Sequence, residues 1–192
     1  MNFASAKKFI LEKLKKELPP QFTYHNFDHV TDVYTAAERL GASEGMDDAE
    51  MRLLLTAALF HDSGFVVGPT AHEEGSCRIA AKILPEFGYT EKDIEAISGM
   101  IMATKLPQSP QNRLEEIIAD ADLDYLGRDD FFPISEQLFT EFLATGIVKD
   151  YNDWNKLQIR FFESHHYFTN SAKKSRNAKK AENLEMIKTK IQ

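Results

Sequence analysis

Cysteine is almost absent from this chain of 192 residues: Cys77 stands alone. An internal disulfide is therefore excluded, as is a zinc site built on several thiolates, and a reducing compartment is the natural setting. Basic charge is also in short supply. Thirty Asp and Glu face 23 Lys and Arg, for a formal net charge of −7, the wrong sign for a protein that grips nucleic acid over a broad face. No apolar run reaches the roughly 20 residues that span a bilayer. The opening stretch MNFASAKKFILEKLKKELPP is unlike a secretory signal, because Lys and Glu interrupt its apolar positions. A cytoplasmic location with no membrane partner is the expectation. Alternating apolar and polar runs of strand length are missing too, which argues against a sheet.

What is present suits one all-α domain with a helical extension. Hydrophobic residues make up 43% of the chain, including 14 Phe, enough to fill a core. The 9 Gly and 7 Pro fall between segments of helical period. The periodicity predicts helices over 3–18 and 24–41, from Asp47, from Thr70 to before Gly88, and from Thr90 to before Pro107. Further helices are expected from Ser109-Pro110, over 131–143 and 151–168, and from about 172. Asp47 with Glu50 resembles a capping box, and Thr70 with Glu73 can be read as another. The expected division is an N-terminal helix over 1–20, a core over 21–130 and C-terminal helices over 131–192 that pack on it.

Chemistry concentrates in three places. His25 and His29 are four apart on an expected helix and so share a face. His61-Asp62 follows the apolar run LLLTAALF, and a buried His and Asp are costly unless something satisfies them. Either Asp62 accepts a hydrogen bond from His61 or nearby backbone, or the two bind one cation. Mixed His and Asp ligation suits Mn, Fe, Co, Ni or Zn, and Mg is less natural. Asp120-Ala121-Asp122-Leu123-Asp124 follows Ile117-Ile118-Ala119; its three carboxylates repel one another unless cations or donors compensate. A solvated helix end with Arg113 and Arg128 as partners is the plainer reading of that run.

Taken in order, these elements resemble the HD domain superfamily of metal-dependent phosphohydrolases. Tyr24-His25-Asn26-x-x-His29 resembles the YHNxxH opening of predicted HD phosphohydrolases, and Phe60-His61-Asp62 the FHD motif. His72-Glu73-x-x-Ser76 is similar to the segment that follows it. Ile97-x-x-Met100-Ile101-x-Ala103-Thr104 resembles the family's IxxLIxxT helix, and residues 120–127 its DADLxxLG segment. The resemblance covers about residues 22–130.

The resemblance implies a helical bundle holding one divalent metal through His29, His61, Asp62 and Asp122. Asp120 and Asp124 would then buttress those ligands, and His25 would do the same or wall the site. His72 is the one further histidine for a second ion, so a single ion is expected and an HD-type di-iron oxygenase is not. The implied reaction is hydrolysis of a phosphoester or phosphoanhydride in a small phosphorylated molecule, with a nucleotide the first guess. His72, Glu73 and Asp120 are the candidates for catalytic acid–base work. Lys105 and Arg128 are candidates for holding the phosphate, against a plainer reading of each as surface charge. The glutamate of the HDxxE pattern is missing, since Phe65 stands there. A non-catalytic HD-type nucleotide-binding or regulatory module is therefore the alternative. Phe65, Phe131, Phe132 and Trp154 read as core or rim, and His165 and His166 as a polar helix edge. The basic run 173–180 reads as a solvated helix face.

Overall fold

The computed structural model describes residues 1–191, which form nine α-helices and no strand. They are α1 Phe3–Glu17, α2 Phe27–Ser43, α3 Asp48–Phe60, α4 His72–Ile83, α5 Glu91–Ala103, α6 Arg113–Asp122, α7 Phe131–Ala144, α8 Tyr151–Ser164 and α9 Asn170–Lys188. Short 3-10 turns at Ser63–Val66, Leu84–Phe87 and Asp124–Gly127 link three of the pairs. The all-α reading holds. No helix among the described residues is long and apolar enough to cross a membrane.

α3 is the central rod. Its last seven residues, Leu54 to Phe60, are all buried, and α1, α2, α4, α5 and α6 pack around it. A helix apolar on every side must be enclosed this way. α1 joins the same core through Ala6, Ile10 and Leu14. A second apolar cluster gathers Tyr24, Leu123, Leu126, Phe131 and Phe162, and a third gathers Phe139, Val148 and Trp154. α7 and α8 thus build a separate apolar wall beside the main core.

Capping residues fix where the helices begin. Asp47 and Glu50 close the expected capping box on α3, and Thr90 with Asp93 closes one on α5. Four expectations need correction. α2 starts at Phe27 because the Asn26 side chain accepts from Asp28 and His29 N–H, so His25 lies outside the helix. Thr70 caps nothing: α4 starts at His72 behind Ala71, whose φ of 52° is left-handed. α6 starts at Arg113, capped by Asn112 rather than by Ser109. α8 ends at Ser164, because Phe168 and Thr169 N–H groups turn to the Asp120 carboxylate instead of continuing the helix.

Candidate metal centre

Three helix ends converge on one point. His29 sits in the first turn of α2, held there by the Asn26 cap. His61 and Asp62 follow the last residue of α3, where the chain leaves the helix for the 3-10 turn. Asp122 is the last residue of α6. Side chains at helix ends are free to point along the axis into a shared space, and these four do.

Their donor atoms are tightly grouped. His29 Nε2 and His61 Nε2 are 3.4 Å apart. Asp122 Oδ1 lies 3.2 Å from the first and 3.4 Å from the second. Asp62 Oδ2 lies 3.5 Å and 3.3 Å from the same two nitrogens. Ligands about 2.1 Å from a tetrahedral centre stand about 3.4 Å apart, so His29 Nε2, His61 Nε2 and Asp122 Oδ1 are spaced for one small cation, with Asp62 Oδ2 beside both nitrogens. The donor chemistry fits as well. His61 Nδ1 donates to the Ala58 carbonyl at 2.9 Å, which leaves the Nε2 lone pair facing the cluster. Asp62 Oδ2 is buried without a hydrogen-bond partner, a costly arrangement unless a cation satisfies it. His29, His61 and Asp122 together form a group that could hold a metal ion.

The electrostatics agree. Burial works against a charged His61, but the Asp62 and Asp122 carboxylates outweigh it and hold the imidazole well above its ordinary value. Burial would raise Asp62, yet His61, His25 and His29 pull it far below the usual carboxylate range. Asp122 is pulled to about 2 against its own burial by hydrogen bonds from His29 and His61. The cluster favours positive charge, and a divalent ion held by these residues would supply it in place of ring protons.

The cluster opens into a cavity of about 670 Å³. His72 and Glu73, the first two residues of α4, line it; His72 Nε2 is 3.5 Å from Asp62 Oδ1 and 3.6 Å from Glu73 Oε1. Gly64 sets that approach. A Cβ there would lie 2.0 Å from the His72 carbonyl oxygen, so only glycine lets the turn and α4 touch. Ser76 Oγ accepts from Gly64 N–H at 2.8 Å and locks the contact. His25 lines the cavity too, stacked on Phe65 with ring centroids 4.3 Å apart. Phe65 is thus a spacer between His25 and His72, whose ring it also touches at 4.3 Å.

Other expected site residues lie elsewhere or are already engaged. Asp120 is fully buried outside the cavity, accepting from Phe168 N, Thr169 N and Thr169 Oγ1; burial pushes it up to about 6 against those three donors. It ties the 165–169 segment to α6 and cannot reach a reacting atom. Asp124 does not buttress the cluster either, because Arg39 and Arg176 hold both its oxygens. Arg128 does not line the cavity, its guanidinium held by Asp32 and Asp130. Lys105 does line the cavity, but pairs with Glu74 at 2.5 Å. His165 and His166 do not line it. Sequence reasoning missed Glu141 on α7. Its Oε1 meets His25 Nδ1 at 2.5 Å and its Oε2 accepts from Tyr24 and His25 N–H. The one sequence signal was an acid three residues after Leu138 in an apolar helix.

The HD domain family model matches residues 26–124. An uncharacterized protein of Clostridium beijerinckii is 31% identical over 98 residues, which is 49% of this chain and 62% of that one, so the match spans less than two thirds of the relative. Two crystal structures share the fold at 18% identity. A predicted HD superfamily hydrolase from an uncultured Thermotogales bacterium superposes with a TM-score of 0.65 over 95% of this chain and 89% of its own. Bacillus subtilis YpgQ in complex with ADP superposes with a TM-score of 0.67 over 97% and 94%.

Proposed function

Because the chain belongs to the HD domain family, we propose that it is a metal-dependent phosphohydrolase acting on a small phosphorylated molecule. The observation that carries this reading is the four-atom donor cluster at the floor of a cavity flanked by two histidines and a glutamate. His29, His61, Asp62 and Asp122 are the proposed ligands of one divalent ion, with Mn, Fe, Co, Ni or Zn better suited than Mg to two imidazoles. Such an ion, when bound, polarises a phosphoryl oxygen and lowers the pKa of a coordinated water.

The chain's own groups supply the rest. His72 Nε2 faces two carboxylate oxygens, Asp62 Oδ1 and Glu73 Oε1, and in this reading takes the proton of the attacking water. His25 carries its Nδ1 proton toward Glu141, which holds the ring above its ordinary value although burial opposes this. Its other nitrogen is then a donor, suited to a phosphoryl or leaving-group oxygen. Lys105 at the rim is a positive partner for an incoming anion. Nucleotides are the first class to try, a choice supported by the ADP held in YpgQ. A cytoplasmic setting suits the acidic, thiol-poor composition.

The test is phosphate release from nucleotides and general phosphoesters with Mn, Co, Ni, Zn or Mg added, wild type beside Asp62→Ala. Turnover that needs metal and falls at least 100-fold in the variant is expected. Stoichiometric metal binding without turnover on any substrate would favour the non-catalytic binding module, a reading supported by Phe65 in place of the HDxxE glutamate.

A further inference from the structure

The cavity has two unlike ends. Its polar end holds the donor cluster with His25, His72 and Glu73. Its other end is walled by Leu138 and Phe142 of α7 and by Trp154, Leu157, Phe161 and Phe162 of α8. Leu138, Phe142 and Leu157 are only half-buried, as wall residues facing a void are. The apolar surface continues to the mouth, where Leu106 and Ile147 line the cavity while 55% and 59% exposed.

Gln158 and Thr145, polar residues at this end, are already engaged within the protein. Gln158 accepts from Ser135 Oγ at 2.7 Å, and its nitrogen points to Asn155 at 3.4 Å. Thr145 donates to the Glu141 carbonyl at 3.0 Å. A ligand edge rich in donors and acceptors would lose its water there and find few partners in exchange. Cations are equally scarce. Among the described residues Lys105 is the one lysine or arginine lining the cavity, against Asp62, Glu73, Asp122 and Glu141, and Lys105 already serves Glu74. A polyphosphate brings about four negative charges to a site that offers, beyond the ion, one lysine shared with Glu74 and the His25 ring already paired with Glu141.

We propose that the α7–α8 chamber takes an apolar alkyl or aryl body, so that the substrate is a singly phosphorylated molecule with an apolar tail rather than a nucleoside polyphosphate. The phosphoryl half of this statement rests on the function proposed above; the chamber half rests on its walls alone. A cavity of about 670 Å³ lies within the usual range for small-molecule sites.

Trp154 is the chain's single tryptophan and stands in the chamber wall, so its emission reports the chamber and not the metal end. The experiment titrates Mn-loaded protein with methylphosphonate, hexylphosphonate, hexanol, AMP and ATP, followed by calorimetry and by Trp154 emission. Each buried methylene is worth about four-fold in affinity, so hexylphosphonate should bind at least about thirty-fold tighter than methylphosphonate. Only the hexyl compounds should shift Trp154 emission. Leu157→Asn should shrink the hexyl advantage several-fold. Equal affinity for the two phosphonates, or tighter binding of AMP or ATP than of hexylphosphonate, would overturn the proposal. Hexanol binding as tightly as hexylphosphonate would keep the chamber's occupant and overturn the phosphoryl reading instead.

Discussion

Glu141 joins α7 to the entrance of α2, through the His25 imidazole on one oxygen and the Tyr24 and His25 backbone N–H groups on the other. Burial opposes the charge on both partners, but their hydrogen bond outweighs it, holding His25 above and Glu141 below their ordinary values. A raised histidine contributes stability that is complete below about pH 6.5 and fades as pH climbs through its folded value. A lowered glutamate contributes stability present above about pH 4.5 that fades as pH falls through its folded value. Both contributions coincide between about pH 4.5 and 6.5. Glu141→Gln keeps an acceptor for the Tyr24 and His25 N–H groups but loses the charge, so it should cost about 2–3 kcal/mol at pH 6 and clearly less at pH 9. Urea unfolding at the two pH values checks this, and an equal cost at both would contradict the ion-pair account. The pair was not legible in the sequence because its members lie 116 residues apart. The proposed ligands were legible because each carries a local motif at a helix end. Asp120 was misjudged for a related reason: its partners, Phe168 and Thr169, stand 48 and 49 residues downstream.

The contact between the 63–66 turn and the start of α4 sets His72 against Asp62. Gly64→Ala would drive a Cβ into the His72 carbonyl, and rigid backbone on both sides must separate. A loss of about 3 kcal/mol is expected in thermal or urea unfolding. Ser76→Ala is subtler, leaving the buried Gly64 N–H without its acceptor at about 1–3 kcal/mol. Either variant leaving stability unchanged would mean that this contact does not position α4. Helix starts were readable where the cap is local, as at Asp47 and Thr90. The start near Thr70 and the end of α8 at 165–168 were not readable. At the first, the left-handed Ala71 precedes the helix. At the second, a buried carboxylate from another helix competes for the backbone N–H groups. Periodicity sees only the chain's own preference, and tertiary partners override it at ends.

α9 binds the molecule together, although its basic run reads as a solvated face. Lys173 and Lys174 are exposed as expected, but Arg176 turns inward to Asp124, which is 2% exposed. Lys180 donates to the His165 carbonyl at 2.5 Å, and Asn183 to the Leu126 and Arg128 carbonyls. Gly127 allows α9 to come this close, since a Cβ there would lie 2.5 Å from the Arg176 carbonyl oxygen. Arg176→Ala leaves Asp124 with Arg39 as its main partner and should cost about 2–4 kcal/mol, read as a lowered melting temperature. A change below about 0.5 kcal/mol would make α9 an appendage. The helical class and the order of the family's segments were open to reading from sequence, whereas the α7–α8 chamber was not, because its walls meet only after two helices fold back over the site. The account as a whole depends on one ion at His29, His61, Asp62 and Asp122. Calorimetric titration of metal-free protein with Mn, beside His61→Ala and Asp62→Ala of unchanged helical content, tests that directly. One equivalent bound by the wild type and none by either variant is predicted; no binding by the wild type, or undiminished binding by the variants, would contradict it.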